Sequence, residues 1–284
     1  MRRLTGEDIQ ALIRLMGDMD PRTSKMARER LLQADPREVL PRLAAAVSDP
    51  DPLIRGRARI FLEELRLGDL TRRWAALAEL PDDEIDLEEG AFLIARYRYP
   101  EEDFEPYRRW LDETAQAAAR DLKPEMGMYQ IIGVLNMHLF ERARLRGDDV
   151  RYYDPDNSCI NRVIDRRRGN PITLSVIYIL VARRLGLPVY GVGLPGHFVV
   201  TYIDGDERTW IDPFHQGRLL SREDCIRYVR EMGYPFRAHL LKPVSTRSIL
   251  VRMLGNLHRI YVETDQPLQA EHMKTFQEIL SQRG

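Results

Sequence analysis

The chain has 284 residues, 44% of them hydrophobic and 31% charged, with a formal net charge of -1. That is long enough for two domains with cores of their own, and the composition is that of a globular protein in water. Near-neutral charge gives no general field for nucleic acid or an anionic membrane, so neither is expected as a partner. Two cysteines, Cys159 and Cys225, cannot build a disulfide framework or a multi-cysteine zinc site. The basic start Met1-Arg2-Arg3 turns acidic at Glu7-Asp8 before any apolar core, and no stretch reaches the length needed to span a bilayer. A cytoplasmic protein is expected.

The first 80 or so residues predict paired helices. Leu12-Ile13-Arg14-Leu15-Met16-Gly17-Asp18-Met19-Asp20-Pro21 is echoed 31 positions later by Leu43 to Pro52, and Ala27 and Leu31 match Ala58 and Leu62. Each copy reads as an apolar helix, an Asp-Pro break, then a basic amphipathic helix such as Arg55 to Leu65. Aspartate as N-cap with proline in the first turn explains the second start. Paired helices at such a period resemble HEAT repeats; an ordinary helical bundle is the alternative.

Pro81-Asp82-Asp83-Glu84 breaks the pattern. Apolar residues at helical spacing then predict helices over Leu87 to Tyr97, Phe104 to Ala119 and Met126 to Leu145. His138, in the third, sits among Asn136, Met137, Leu139 and Phe140 and reads as a packing residue rather than a ligand.

The middle of the chain changes character. Asn170-Pro171 opens a helix that stops at Gly186-Leu187-Pro188. Val189 to Leu194, Phe198 to Ile203 and Thr209 to Ile211 are strand-like, with a hairpin turn at Asp204-Gly205-Asp206. Ser221, with Glu223 and Asp224 behind it, starts another helix, and helices over Ser248 to Glu263 and Pro267 to Ser281 finish the chain.

This α+β core aligns three chemically loaded points: the helix start Arg166-Arg167-Arg168-Gly169-Asn170-Pro171-Ile172-Thr173-Leu174-Ser175, then Gly196-His197-Phe198, then Trp210-Ile211-Asp212-Pro213. Thiol enzymes of the Cys-His-Asp order need a thiolate at a helix N-terminus, an imidazole to take its proton and a carboxylate to hold the ring. His197 and Asp212, on strands joined by a tight hairpin, are predicted hydrogen-bonded neighbours. Pro171 occupies the helix start, where a nucleophile would be needed.

Asn157-Ser158, Arg167-Gly169-Pro171-Ile172-Thr173-Leu174-Ser175, Pro195-Gly196-His197-Phe198, Asp212-Pro213 and Arg252-Met253-Leu254-Gly255-Asn256-Leu257 together resemble the bacterial SirB-type proteins of the transglutaminase-like superfamily, which often bear tetratricopeptide repeats. The likeness spans roughly residues 86 to 280. It implies a papain-like core performing acyl transfer or amide hydrolysis, with His197 as general base and Asp212 as its orienter. By position the nucleophile falls on Pro171, and the resemblance implies that the SirB-type branch as a whole lacks the cysteine. It also implies an aromatic at position 159, so Cys159 reads first as a packing residue.

Other nucleophiles are open to the sequence. Cys159 reaches the site only if its segment folds back across the helix start. Ser175 and Thr173, in the first turns of the helix, usually bond to backbone. The arginines point to a second use: Arg167, with Asn170, Thr173 and the free N–H groups of the helix start, makes an anion site for carboxylate or phosphate. The alternative is a solvated run with Arg167 paired to Asp154 or Asp165. No glycine-rich phosphate loop or metal-ligand spacing appears, so no cofactor and no metal are expected.

The expected fold is therefore helix-rich α+β: HEAT-like repeats over 1–80, a helical linker domain over 81–147, a transglutaminase-like core with a small antiparallel sheet over 148–220, and C-terminal helices over 221–284. The expected function is a catalytically degenerate protein that binds a peptide or protein segment in the ancestral cleft. Its rivals are an active cysteine- or serine-dependent hydrolase or amide-processing enzyme with a relocated nucleophile, and an adaptor whose cleft binds nothing.

Overall fold

Aspartate followed by proline opens helices throughout the N-terminal unit. In the computed structural model, which describes residues 4–282, α1 (Gly6–Met16) starts with a Thr5/Asp8 capping box. α2 (Pro21–Leu32) follows Asp20, whose carboxylate accepts the N–H groups of Arg22 and Thr23. α3 (Pro36–Ala46) follows Asp35 in the same way. At the head of α4 (Pro52–Glu79), Asp51 Oδ1 accepts from Leu53 N at 2.8 Å. Each cap satisfies donors that a helix start leaves unpaired, worth about 1 kcal/mol apiece. Ile9, Ile13, Ala27, Leu31, Leu43, Ala58 and Phe61 share one core, so the echoed residues Ala27/Ala58 and Leu31/Leu62 are buried positions. The Arg57 guanidinium ties α4 back to the Met16 carbonyl at 2.6 Å. The chain divides into two compact units between Arg72 and Arg73, within α4.

The second unit begins with α5 (Leu87–Arg98), capped by Asp86, and α6 (Glu105–Asp121). Gly90 of α5 lets Leu250 pack where a Cβ would stand, 2.4 Å from Leu250 Cδ1. The third expected helix is shorter than its apolar run. α7 (Met128–Asn136) passes into a wider π turn over Met137–Arg142 and ends there, not at Leu145. Ala143 N bonds back to His138 O, five residues earlier, at 2.9 Å. The turn leaves His138 Nε2 and Arg142 Nη1 converging on Asp121 Oδ2, at 2.8 and 3.0 Å. His138 is thus a buried packing residue with one carboxylate partner.

Next come a short parallel pair, β1 (Arg146–Gly147) with β2 (Arg168–Gly169), and α8 (Ile160–Arg166) between them. Neither was legible as an element, because two-residue strands carry no alternation. α9 (Pro171–Arg184) is the central element. Asn170 Oδ1 accepts from Thr173 N at 2.9 Å, Pro171 fills the first position, and every residue from Pro171 to Ala182 is buried. A helix apolar all round belongs inside, and α9 is covered by α5, α6, α8 and the sheet.

That sheet is an antiparallel meander of β3 (Val189–Leu194), β4 (His197–Asp204), β5 (Glu207–Asp212) and β6 (Arg218–Leu220). Asp204 pairs with Glu207 across the two-residue loop Gly205-Asp206. Gly205 takes φ +56° as its first residue, a conformation that glycine adopts without penalty. β6, three residues long, was missed by the sequence reading. α10 (Arg222–Glu231) starts with a Ser221/Asp224 capping box. α11 (Thr246–Glu263) and α12 (Pro267–Ser281) close the fold as an antiparallel pair. The buried Arg247 guanidinium binds them to the end of α4, with Leu280 O at 2.9 Å, Leu80 O at 2.6 Å and Asp82 Oδ1 at 2.6 Å. No described helix is long and apolar enough to cross a membrane.

Candidate functional site

β4 starts with His197 and β5 ends with Asp212, and the ladder sets them side by side. Val200 faces Ile211, so one further step puts Asp212 beside Val199, two residues from His197 on the same face. Such diagonal neighbours lie within reach of one another. His197 Nε2 is 2.8 Å from Asp212 Oδ2, and both residues are buried. The same oxygen receives His215 Nδ1 at 2.7 Å, while Oδ1 accepts the N–H groups of Phe214 and His215 at 3.1 and 3.3 Å. Burial alone would raise the Asp212 carboxyl. The bonds and charge of His197, with a smaller contribution from His215, outweigh burial and hold it below the ordinary carboxylate range.

The turn that carries these groups is fixed by close packing. A Cβ on Gly147 would meet the Phe214 ring at 2.6 Å, and Gly147 N donates to Phe214 O. Gly196, at φ +72°, turns the chain immediately before His197. Around the imidazole stand Phe214 and Tyr228, with ring centroids 6.2 and 5.4 Å away.

Two cavities meet at this imidazole. The larger, about 380 Å³, runs past Asp212, His215, Arg218, Arg227 and Tyr228. The smaller, about 130 Å³, runs toward Arg252, Asn256 and Arg259 of α11. Tyr152, Pro171, Gly196 and His197 line both. The helix start, the imidazole and the carboxylate are thus brought to one cleft, with Pro171 on its wall.

The other sequence candidates lie elsewhere. Cys159 caps α8, is fully buried, and its Sγ approaches Pro155 O at 3.7 Å. Burial pushes its thiol up to about 12, the opposite of what a nucleophile needs. Cys225, buried in α10, is likewise pushed up to about 12, chiefly by burial. Ser175 Oγ donates to Phe198 O at 3.4 Å inside the core. Thr173 is fully buried, and its hydroxyl has no hydrogen-bond partner among the described residues. Asn170 serves the α9 cap and donates to Ser158 Oγ at 2.9 Å. None of these residues lines either cavity.

The arginine run divides its roles. Arg166, not Arg167, pairs with Asp154, at 2.8 Å, and reaches Asp156 at 3.2 Å. Asp165 instead receives Arg162 and the Tyr107 hydroxyl, both at 3.1 Å. Arg167 closes α8 in the left-handed conformation, φ +59°, with its guanidinium 5.3 Å from the Trp110 ring centre. It lines neither cavity. The left-handed reversal between α8 and β2 sets its side chain over Trp110 of α6.

His215, Tyr152, Tyr228, Arg252 and Arg259 were missed. His215 had a signal, three residues after Asp212 in a proline turn. Arg252 stands in the run Arg252–Leu257 that carries part of the resemblance, without a role at the site, and Arg259 was not singled out. The donor atoms of His197, Asp212 and His215 all lie within 4.8 Å of one another, a two-histidine, one-carboxylate set of the kind that binds transition metals. Asp212 Oδ2 can equally take one N–H from each ring, and the 2.7 and 2.8 Å spacings are those of charge-assisted hydrogen bonds.

Residues 105–255 match the transglutaminase-like superfamily model. A UPF0162 protein of Xylella fastidiosa (strain Temecula1) is 39% identical over 207 residues, covering 68% of this chain and 71% of the relative. A UPF0162 protein of Pseudomonas aeruginosa is 28% identical over 201 residues, 70% of this chain and 73% of the relative. Mouse F-box only protein 21 is 27% identical over 230 residues, 70% of this chain but 36% of that protein. No solved structure matches the chain.

Proposed function

The chain belongs to the transglutaminase-like superfamily, alongside the UPF0162 proteins, and from that premise we propose that it is a catalytically degenerate member that binds a peptide or protein segment in the cleft at His197. One observation carries the reading. Among the described residues, neither cavity beside the His197–Asp212 pair is lined by a cysteine, serine or threonine, and Pro171 stands on the wall that both share. An imidazole oriented by a carboxylate can accept a proton only from a nucleophile within hydrogen-bond reach. Here the wall that both cavities share carries proline in place of a side-chain nucleophile, and on this reading the pair binds rather than activates.

A peptide suits the cleft on chemical grounds. Tyr152, Phe214 and Tyr228 offer aromatic walls, and His197 and Arg218 offer polar ends. Burial raises the Tyr228 hydroxyl, so it stays a neutral donor. On this reading the cleft lies in a core of residues 148–220 walled by 221–284, with 81–147 as a helical linker. The helix pairs of residues 1–80, taken as HEAT-like, serve as a scaffold for a protein partner. The SirB-type label rests on the motifs from Asn157 to Leu257.

The reading is tested with a fluorescent peptide library panned on the whole protein and on His197→Ala. Peptides retained by the protein and lost by the variant are expected, with no peptide cleaved or cross-linked. Turnover of any peptide or glutamine substrate that disappears in His197→Ala would instead establish an enzyme.

A further inference from the structure

The charges of the two cavities are unlike. In the larger one the cations Arg218 and Arg227 share the space with Asp212, Asp224 and Glu231, and Arg227 is paired to Asp224. Among the described residues, the smaller one has Arg252 and Arg259 on its wall and no acidic residue.

Among the described residues these two arginines have no carboxylate partner. Arg98, Arg108, Arg166 and Arg184, all partly buried, each meet a carboxylate within 3.2 Å. Arg252 meets only carbonyls, Leu194 O at 2.5 Å and His197 O at 2.6 Å, and stacks over the Phe198 ring. Arg259 stacks over Tyr153. Burial holds the Arg252 guanidinium below its usual range; Tyr152 and Tyr228 pull the other way, and the nearby charge of Arg259 adds to the lowering. Two neighbouring cations, one of them partly desolvated and neither neutralised, make a site that gains from an incoming anion.

Geometry aims them together. Positions 252, 256 and 259 follow i, i+4, i+7 spacing and share one face of α11. Ile172, in the first turn of α9, lines the same cavity, and its N–H is among those that a helix start leaves without an intrahelical partner. We infer that Arg252, Asn256 and Arg259 form a carboxylate subsite at the α11 end of the cleft, which holds the C-terminal carboxylate or an acidic side chain of the peptide bound against His197. The inference rests on the peptide-binding reading above and names the chemical class of its ligand. It moves the anion site expected at Arg167 to the α11 wall of the cleft.

The test follows the arginine Nε–Hε and histidine ring NMR signals of the whole protein during four titrations. The probes are glutarate, N-acetyl-glycyl-glycine, its C-terminal amide, and inorganic phosphate. Glutarate or the free acid should shift the Arg252 and Arg259 signals saturably, and the amide should not. Binding by the free C-terminus marks an α-carboxylate site, and binding by glutarate alone marks a side-chain site. Arg259→Gln, at an exposed position, should weaken the effective carboxylate about tenfold or more, as expected for loss of a charge-assisted bond. Arg252→Lys keeps the charge while losing the fork, and should weaken it less than Arg259→Gln. Unmoved arginine signals, an unchanged affinity in Arg259→Gln, or phosphate binding more tightly than every carboxylate would overturn the subsite. If carboxylates bind the arginines but neither peptide moves the His197 signals, the subsite stands and the peptide reading fails. If peptides move His197 and leave the arginines untouched, the reverse holds.

Discussion

His197 Nε2 lies 2.8 Å from Asp212 Oδ2 across two antiparallel strands, and the same carboxylate oxygen takes His215 Nδ1 at 2.7 Å. The two imidazoles are not equivalent. His197 is buried, while His215 is largely exposed, at 60% of its side chain. A buried donor that loses its acceptor bears the full desolvation cost, and an exposed one turns to water. Asp212→Ala is therefore expected to cost about 1–3 kcal/mol of stability, and His215→Ala less than about 0.5 kcal/mol. Chemical denaturation of the two variants checks this. Equal losses would mean that the exposed His215 contact, not the buried His197 one, carries the contribution of the carboxylate.

The pH dependence of that contribution has a definite sign. Because the folded Asp212 carboxyl is held below its unfolded value, its stabilisation is present above about pH 4 and is lost as pH falls through the folded value. The difference in Tm between the protein and Asp212→Asn should thus be flat near neutrality and shrink below about pH 4. A gap that widens on acidification would contradict the depressed carboxyl.

Reactivity separates a packing thiol from a nucleophile. Cys159 and Cys225 are both buried and both pushed up to about 12. Raised thiols favour the folded state below the ordinary thiol range, near pH 8.5, and that contribution fades as pH climbs toward the folded value. Iodoacetamide is expected to label neither residue quickly at neutral pH in the folded protein. Rapid labelling of Cys159 that vanishes in His197→Ala would make this an enzyme after all.

Much of this was legible in the sequence because local rules governed it. The Asp-Pro helix starts, the Asn170-Pro171 cap, the Gly205 hairpin and the Ser221 capping box are all set by a few adjacent residues. The His197–Asp212 pair followed from the hairpin's strand spacing. What escaped depends on contacts distant in the chain. Arg167 follows a helix end whose left-handed reversal carries its side chain to Trp110, a turn that sequence spacing does not specify. Arg252, though part of a quoted motif, and Arg259 carry no sign of a cleft role until α11 is set against the start of α9. The π turn after Asn136 lies within an unbroken apolar run, so nothing local marked its end.

Gly217 offers a test of a long-range contact that supports the site. It takes φ +76° after the Asp212 turn, and a Cβ there would fall 2.3 Å from Asn136 Oδ1. Asn136 Nδ2 in turn donates to Gly217 O at 2.9 Å. Gly217→Ala should cost about 1–3 kcal/mol through backbone strain and displacement of Asn136. Asn136→Ala/Gly217→Ala should cost less than the sum of the single variants. Strict additivity would show that only the backbone conformation matters.

The sharpest contrast lies between Arg167 and His197, both candidates for ligand contact by sequence. Arg167 stacks on Trp110, and its carbonyl accepts from Arg146 N at 3.1 Å in the parallel pair. Removing the guanidinium should cost about 0.5–2 kcal/mol of stability, the range of a partly desolvated cation–π contact. Because the backbone there is left-handed, Arg167→Gly should be less destabilised than Arg167→Ala, glycine entering that region without the Cβ penalty. Neither change should alter affinity for a cleft-binding peptide. His197→Ala should do the converse at the cleft, weakening such a peptide by about 1–3 kcal/mol. Parallel melting curves and binding isotherms for the three variants decide the matter. Should Arg167→Gly melt at the wild-type temperature yet lose the peptide, the anion site belongs at the helix start, and the α11 arginines are only a clamp on the His197 carbonyl.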